Sequence, residues 1–474
     1  MLIRAGDEDT ICALSTPAGV GGIAVIRVSG SLALELTRKL CGFLPTTPES
    51  HKIYLGICRS IDQSEALDQV LTAFFSNGKS FTGEETVEIS CHGGPVVTAA
   101  ILRELIKAGI RPAKRGEFTY RAFMNGRMDL VQAEAVLGLI ESQTQHGAKI
   151  ALRQLQGHLS DDFKKIEDDH LWILAHLEAS IDFSTEDIEV VTLKALIDRT
   201  MNLLNHVEKL ISSYSQGRII REGLQIALIG RPNVGKSSLL NALLKEDRAI
   251  VTAQAGTTRD LIEGRVMFSG VPVTFVDTAG LRDSESEVEM IGIERSKSAR
   301  DRSDFIFHVV DLSSDNWEED VSGSFADLAE KPNVFLILNK TDLDSNGRRR
   351  QLCEAKISEI WTEKGAKERV KHDVFWVSAV SRAGLSELED RVGQLVGEID
   401  AENSSVVTQA RHLERLQKIQ SCLLNAVRLM KENASPEFTA FELQESIRAI
   451  HELLGKEFDE QVIDRIFKEF CLGK

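Results

Sequence analysis

The 474-residue sequence has no CxxC pair. Its seven cysteines (Cys12, Cys41, Cys58, Cys91, Cys353, Cys422 and Cys471) are odd in number and scattered, so neither a disulfide framework nor a thiolate metal site is indicated. No uninterrupted apolar run approaches the roughly 18–20 residues that a membrane helix needs, and no membrane partner is expected. The amino terminus, MLIRAGDEDTICALSTPAG, sets acids before a short apolar run and lacks the long hydrophobic core of a secretory signal. A cytoplasmic location is expected. Positive charge is in deficit: 56 Lys and Arg against 72 Asp and Glu leave a net charge of −16, which disfavours broad, sequence-blind binding of nucleic acid. A structured RNA can still dock on a local basic patch. The candidates are Arg111, Lys114 and Arg115 in RPAKR, and Arg348, Arg349 and Arg350. For each, a solvated surface face is the plain alternative.

Apolar residues at 42% and charged residues at 27% are those of a globular protein, and the length implies about three domains of ~100–200 residues each. Residues 1–127 mix short strands of period two (IAVIRV, DQVLTAFFS, ETVEISC) with the helical stretches SLALELTRKLCG and VVTAAILRELIKAG, an α+β pattern. Residues 128–222 are helical and free of proline, reading as long amphipathic helices in a bundle. In residues 223–399 apolar strand runs (LQIALIG, VTFVDT, DFIFHVVDL, NVFLILNKT, DVFWVSAV) alternate with helices, which predicts a doubly wound, mostly parallel sheet. Residues 400–474 return to helices. The simplest account is an α/β domain inserted into one helical domain; two separate small helical domains are the alternative.

The segment LQIALIGRPNVGKSSLLNALL sets GxxxxGKS between a strand and a helix. Backbone amides of residues 230–237 can cradle phosphate oxygens, Lys236 supplies a cation for the β- and γ-phosphates, and Ser237 offers a hydroxyl to Mg²⁺. VDTAG follows at a strand end, where Asp277 can hold the Mg²⁺ hydration shell and the Gly280 amide can sense the γ-phosphate. In NKTD, Asn339, Lys340 and Asp342 offer an amide and a carboxylate, and the carboxylate can accept both hydrogens of guanine N1 and N2, which selects GTP. Ser378, Ala379 and Val380 complete the base pocket through backbone amides. The elements stand in the right order, each at a strand end.

Two parts of a Ras-like catalytic site are missing. The residue after DTAG is Leu281 rather than a water-orienting glutamine, and no lone arginine is placed as a finger. Glu285, Glu287 and Glu289 in the following acidic segment are candidates for orienting water. In VTAQAGTTRD, the Thr257 and Thr258 hydroxyls suit a loop that closes on Mg²⁺ and the γ-phosphate, with Thr258 as the metal ligand. No dinucleotide-binding fingerprint is present. The chain ends FCLGK. Gly473 is not aliphatic and Lys474 is a poor final residue, so Cys471 is not in a prenylation box. Phe458, Val462, Ile463, Ile466, Phe467 and Phe470 fall on one helical face ahead of it, so the end should be tied down against the bundle. That leaves Cys471 a packed or idle thiol on its own evidence.

Taken with LSTPAGVGGIAVIRVSG, SFTGEETVEISCHGG, RGEFTYRAFMNGRMDLVQAEAV, GTTRD, DTAGLR and FCLGK, these motifs resemble those of the tRNA modification GTPases of the MnmE (TrmE) family over essentially the full length. The resemblance implies an N-terminal tetrahydrofolate-binding and dimerisation domain, a helical domain, and an inserted Ras-like P-loop G domain. It implies nucleotide contacts from Asn233, Val234, Gly235, Lys236, Ser237 and Ser238 and from Thr252, Ala253, Gln254, Ala255, Gly256, Thr257 and Thr258. Asp277, Thr278, Ala279, Gly280, Asn339, Lys340, Thr341, Asp342, Ser378, Ala379 and Val380 complete that set. It further implies a potassium ion in place of the arginine finger, held by Asn233, Thr252, Gln254 and Thr257, and Glu289 as the catalytic glutamate. Folate contacts (5-formyl- or 5,10-methylene-tetrahydrofolate) fall on Arg27, Glu88, Arg127 and Lys474, with arginine at 127 where the better-known members carry lysine. Cys471 belongs to the family's terminal C-x-G-K and serves modification rather than GTP hydrolysis. The implied reaction adds an aminomethyl or carboxymethylaminomethyl group to C5 of the wobble uridine (U34) of tRNA, by a homodimer joined in a heterotetramer with the FAD-containing MnmG (GidA) protein. A ribosome-assembly or regulatory GTPase of the Era/EngA type is the alternative; such proteins lack the folate-like domain and the terminal cysteine motif.

Overall fold

The computed structural model describes residues 9–182, 191–244, 263–268, 271–277, 303–330, 334–344, 346–364, 374–397 and 405–474. It opens with β1 (Ile11–Leu14), β2 (Gly21–Ser29), α1 (Ala33–Arg38), β3 (Lys52–Arg59), β4 (Ala66–Phe75), β5 (Thr86–Gly93), α2 (Pro95–Lys107), β6 (Arg111–Pro112) and α3 (Glu117–Met124). The strands form one sheet in the order β3-β4-β5-β2-β1-β6, antiparallel except for the parallel β1–β6 pair. Alternation along β2 sends Ala24, Ile26 and Val28 into a core with Val87, Ile89, Ile101 and Leu105, beneath α1 and α2. The opposite face carries Arg27 and Glu88, neighbours in the β2–β5 register. Phe118, Phe81, Ile11, Ala13 and Ala113 form a second small apolar cluster.

Helices follow: α4 (Leu130–Glu141), α5 (Gln145–Leu155), α6 (His158–Asp182) and α7 (Leu193–Glu222). Gly157, where φ is +96° and the chain turns, separates α5 from α6. Then come β7 (Leu224–Ile229), α8 (Lys236–Leu244), β8 (Glu263–Phe268), β9 (Val271–Asp277), β10 (Phe305–Asp311), α9 (Trp317–Glu330), β11 (Val334–Asn339), α10 (Arg348–Lys364), β12 (Val374–Trp376) and α11 (Leu385–Gly397). Their sheet runs β12-β11-β10-β7-β9-β8, parallel except for antiparallel β8. Strand order reverses direction at β7, so the loop leaving β7 opens at the switch point where doubly wound sheets bind ligands. The chain closes with α12 (Ala410–Lys431), α13 (Pro436–Leu454) and α14 (Glu460–Lys468).

These elements make two compact units: Met1–Glu141, Lys149–Ser212 and Ala410–Lys474 in one, Ser142–Ala148 and Ser213–Gln409 in the other. Within the first, the helices that precede and follow the α/β segment in sequence pack together. Glu134 on α4 receives Arg411 and buried His412 of α12 at 2.8 and 2.6 Å, and His170 of α6 bonds Ser446 of α13 at 2.6 Å. On the terminal helix Ile463, Phe467 and Phe470 are buried, while Phe458 and Val462 are exposed. Phe458 precedes the helix start, where Asp459 accepts from the Gln461 amide at 2.7 Å, so it leaves the helical face that its spacing suggested. No described helix is long and apolar enough to cross a membrane.

Candidate functional site

The nucleotide site is built first from backbone. Gly235 has φ +95°, and a Cβ there would stand 2.3 Å from the Asn339 side-chain nitrogen, so both conformation and space require glycine. Asn233 also lies in the left-handed region, at φ 65°. α8 begins at Lys236, directing its first-turn N–H groups back toward the loop, the usual seat for phosphate. The Lys236 ammonium donates to the Gly230 and Arg231 carbonyls at 2.8 Å each, which holds it at the mouth of the loop. Ser237 and Ser238 are exposed on the first turn of α8.

Asn339 ends β11 fully buried. It donates to the Val234 carbonyl at 2.9 Å and accepts from the Ala379 amide at 3.2 Å, tying the phosphate loop to the base-reading segments. Lys340, at φ 64°, reaches the Asn233 carbonyl at 3.0 Å and the Asp311 carboxylate at 2.6 Å. Burial pushes the Asp311 carboxyl up, but bonds from Lys340 and Ser313 outweigh it and hold the carboxyl below its ordinary range. Sequence reasoning did not single out Asp311, which is the last residue of β10 and carries no motif of its own. Asp342 is exposed and accepts from the Ser378 hydroxyl at 2.5 Å, so one carboxylate oxygen is fixed and the other is open to a base. Thr341 donates its amide to the Val377 carbonyl, and Val380 is exposed beside Ala379. Asp277 closes β9. Thr252, Ala253, Gln254, Ala255, Gly256, Thr257, Thr258, Thr278, Ala279, Gly280 and Glu289 lie outside the described residues.

In the other unit, Arg27 bonds Glu88 through both Nε and a terminal nitrogen at 2.8 Å, and its guanidinium lies 5.2 Å from the Phe81 ring and 5.6 Å from the Phe118 ring. The Phe118 amide donates to the Lys474 main-chain carbonyl at 3.3 Å. Gly473 is buried at φ +89°, and a Cβ there would stand 2.1 Å from the Leu14 carbonyl; only glycine lets the tail lie on the end of β1. Phe470 packs against Phe467, 5.4 Å between ring centres, and is almost wholly buried. Cys471, between these anchors, is the exposed one among the seven cysteines. The tail, Arg27 and Glu88 thus meet around Phe118. Arg127 is exposed and donates to the Gly78 carbonyl at 3.2 Å, with its stem beside Gly83, on the loop that carries Phe81.

Beneath that loop lies a charge network. Arg121, 5% exposed, bonds Asp9, Glu84 and Glu117, and Arg111 bonds Asp9 and Glu117. Glu84 also accepts from the Ser29 hydroxyl at 2.7 Å. Burial pushes Glu117 up, but Arg111 and the Lys114 amide prevail, and its carboxyl stays ionised below the usual range. Arg111 is therefore consumed internally, unlike its neighbours in RPAKR. Arg349 is likewise taken up by the Leu312 and Ser314 carbonyls and Asp315, and Arg350 by Glu354 and the Trp376 ring.

A phosphate loop at the sheet's switch point, joined through a buried asparagine to a carboxylate free to read a base, is how P-loop GTPases hold guanine nucleotides, and it sets the class of the protein. Comparison with known proteins carries the assignment further. The model for the GTP-binding protein TrmE N-terminus matches residues 10–127, and that for the MnmE helical domain matches residues 130–471. A tRNA modification GTPase MnmE from Bdellovibrio bacteriovorus is 46% identical over 99% of this chain and 98% of its own. Another, from Natranaerobius thermophilus, is 41% identical over 98% of this chain and the whole of its own. Among solved structures, the G domain of the T. maritima FeoB iron transporter is 25% identical, covering 37% of this chain and 99% of its own, with a TM-score of 0.26. The chain belongs to the MnmE family of tRNA modification GTPases.

Proposed function

We propose that GTP hydrolysis by this protein is potassium-dependent and drives modification at C5 of the wobble uridine of tRNA, adding an aminomethyl or carboxymethylaminomethyl group. A reduced folate supplies the one-carbon unit, and a homodimer of this chain works with an FAD-containing MnmG partner that carries the flavin. In this reading the chain comprises a folate-binding domain (1–127), a helical domain (128–222 and 400–474) and a G domain (223–399).

The observation that carries the reading is that Lys474 of CLGK and the Arg27 guanidinium both meet Phe118, in a chain whose NKTD and SAV segments are joined by the Ser378–Asp342 bond. The residues present fit a folate. Half-buried Phe81 offers an apolar face for a flat pterin ring, Glu88, held by Arg27, can accept from its amino-pyrimidine edge, and exposed Arg127 can pair with a carboxylate. Cys471 stands exposed at the margin, where its thiol can meet a substrate. On the open sheet face, Ile53 and Leu55 of edge strand β3 are 63% and 64% exposed, an apolar surface that suits a second copy of this chain.

In the G domain, Ser237 and Thr258 would hold Mg²⁺. Asn233, Thr252, Gln254 and Thr257 would hold potassium, which supplies positive charge beside the transferring phosphate. Glu289 would orient the attacking water, the role Leu281 cannot fill. The test is nucleoside analysis of tRNA from cells lacking the protein: the C5 substituent at the wobble uridine should disappear, and an unchanged nucleoside profile would refute the reading. Equal hydrolysis rates in sodium and potassium would remove the cation mechanism alone.

A further inference from the structure

Three arginines near the tail, Arg27, Arg111 and Arg121, are bound to carboxylates. Lys114 and Arg115 differ. Their side chains make no ion pair among the described residues, and Arg115 is exposed. They stand immediately before Gly116, whose backbone lies against the Phe467 carbonyl, and within four residues of Phe118, which holds Lys474. The Lys114 amide is fixed by the Glu117 carboxylate at 2.7 Å, so this turn is rigid while its two side chains stay uncommitted. The Lys474 ammonium and Arg465 on α14 likewise have no ion pair among the described residues. Glu460, Asp464 and Glu469 are the opposing charges on the same stretch.

We propose that Lys114 and Arg115 form a phosphate-binding ledge beside the C-terminal tail, which receives the anticodon loop of tRNA and brings its wobble base to the exposed Cys471. The inference rests on the proposed reading that this tail belongs to the modification site. A chain of net charge −16 repels RNA at most approaches, so it needs uncompensated cations placed where the base must enter. Phosphate contacts set the position of the nucleic acid and leave the chemistry to the groups beside them. The ledge lies one turn of chain from the thiol's anchors, which is that arrangement.

The test uses the full-length protein and an unmodified tRNA transcript with uridine at the wobble position. Lys114→Glu with Arg115→Glu should weaken tRNA binding by about tenfold or more and reduce the slope of log affinity against log salt by about two. GTP hydrolysis and 5-formyltetrahydrofolate binding should be unchanged, which also reports that the variant is folded. Lys418→Glu with Lys431→Glu, two exposed cations on α12, changes the net charge equally and should cost less affinity. Unchanged affinity and slope in the first variant would overturn the ledge, as would an equal loss in the second. Loss of folate binding with tRNA affinity kept would assign the two cations to folate carboxylates instead. If the wild type itself binds no tRNA, the proposed function falls together with the ledge; indifferent variants against a binding wild type refute the ledge alone.

Discussion

The guanine site and the tail site are held by different forces. In the first, position is set by backbone: a left-handed glycine, carbonyl-bound Lys236, and an asparagine whose amide bridges segments 105 residues apart. In the second, position is set by side chains and by one docked terminus: the Arg27–Glu88 pair, two aromatic rings, the Arg121 network and a glycine pressed against β1. A backbone-built site tolerates changes on its surface and fails at single atoms that read the ligand. A site assembled from ion pairs and a tail fails when a distant support is removed, with no ligand-touching residue altered.

The sharpest way to separate the two is Asp342→Asn. Replacing the carboxylate by an amide removes an acceptor for guanine N1 and N2 and leaves the Ser378 contact possible. GTP affinity should fall by ~10⁴, the scale on which a site built around a hydrogen bond rejects a mismatched partner. Folate binding should be untouched, and nucleotide titration beside folate titration checks both. Loss of the two together would mean that the sites are not independently built.

Removing Arg121 should be next in size. Arg121→Ala leaves wholly buried Glu117, and Asp9, with Arg111 as their one cation, and frees Glu84 of its ion pair. Breaking one partner of a buried charge network costs about 3–5 kcal/mol. The expected result is a lowered unfolding midpoint for the N-terminal unit and weakened folate binding, with GTP binding retained. A variant of wild-type stability would show that water replaces the guanidinium.

Gly473→Ala touches only the tail. The added methyl cannot coexist with the Leu14 carbonyl, and φ +89° is unfavourable for alanine. The tail should lift, and tRNA modification should fall by ~10², the scale of a catalytic group displaced by about 1 Å, while GTP hydrolysis continues. Normal wobble-uridine content with this variant would detach the terminus from the reaction.

How much of this was readable beforehand follows from the same contrast. The phosphate loop, NKTD and SAV are contiguous segments at strand ends, so order and spacing sufficed. Arg27 and Glu88 stood out only by resemblance, because nothing in the sequence says that residues 61 apart are neighbours across β2 and β5. Lys474 was expected as a contact, and its main-chain carbonyl, invisible in a residue name, is the group that docks. Phe81 and Phe118 lay inside quoted motifs yet went unremarked, since their value is the ring stacked on a guanidinium that only the fold brings there. Arg121 looked like any helical arginine. Gly473 counted against lipidation; its φ gives the positive reason for glycine.

The last effect concerns neither site but the helices that carry the tail, and it shows only in acid. His170 is fully buried, with Nδ1 2.8 Å from the Ile166 carbonyl and Nε2 2.6 Å from the Ser446 hydroxyl. A carbonyl can only accept, so Nδ1 carries the hydrogen and Nε2 accepts from Ser446; the ring is neutral. Burial lowers its pKa to about 4. An unfolded histidine titrates near ~6.5, so between those values the unfolded chain holds a proton that the folded one refuses. This contribution is complete above about pH 6.5 and is lost as the pH falls toward 4, by about 3 kcal/mol across the window. Unfolding midpoints measured from pH 7 to 4 should therefore fall more steeply for the wild type than for His170→Gln, which cannot take up the proton. Parallel slopes would mean that the carboxylates, Glu134 beside Arg411 and His412 among them, govern the acid limb instead.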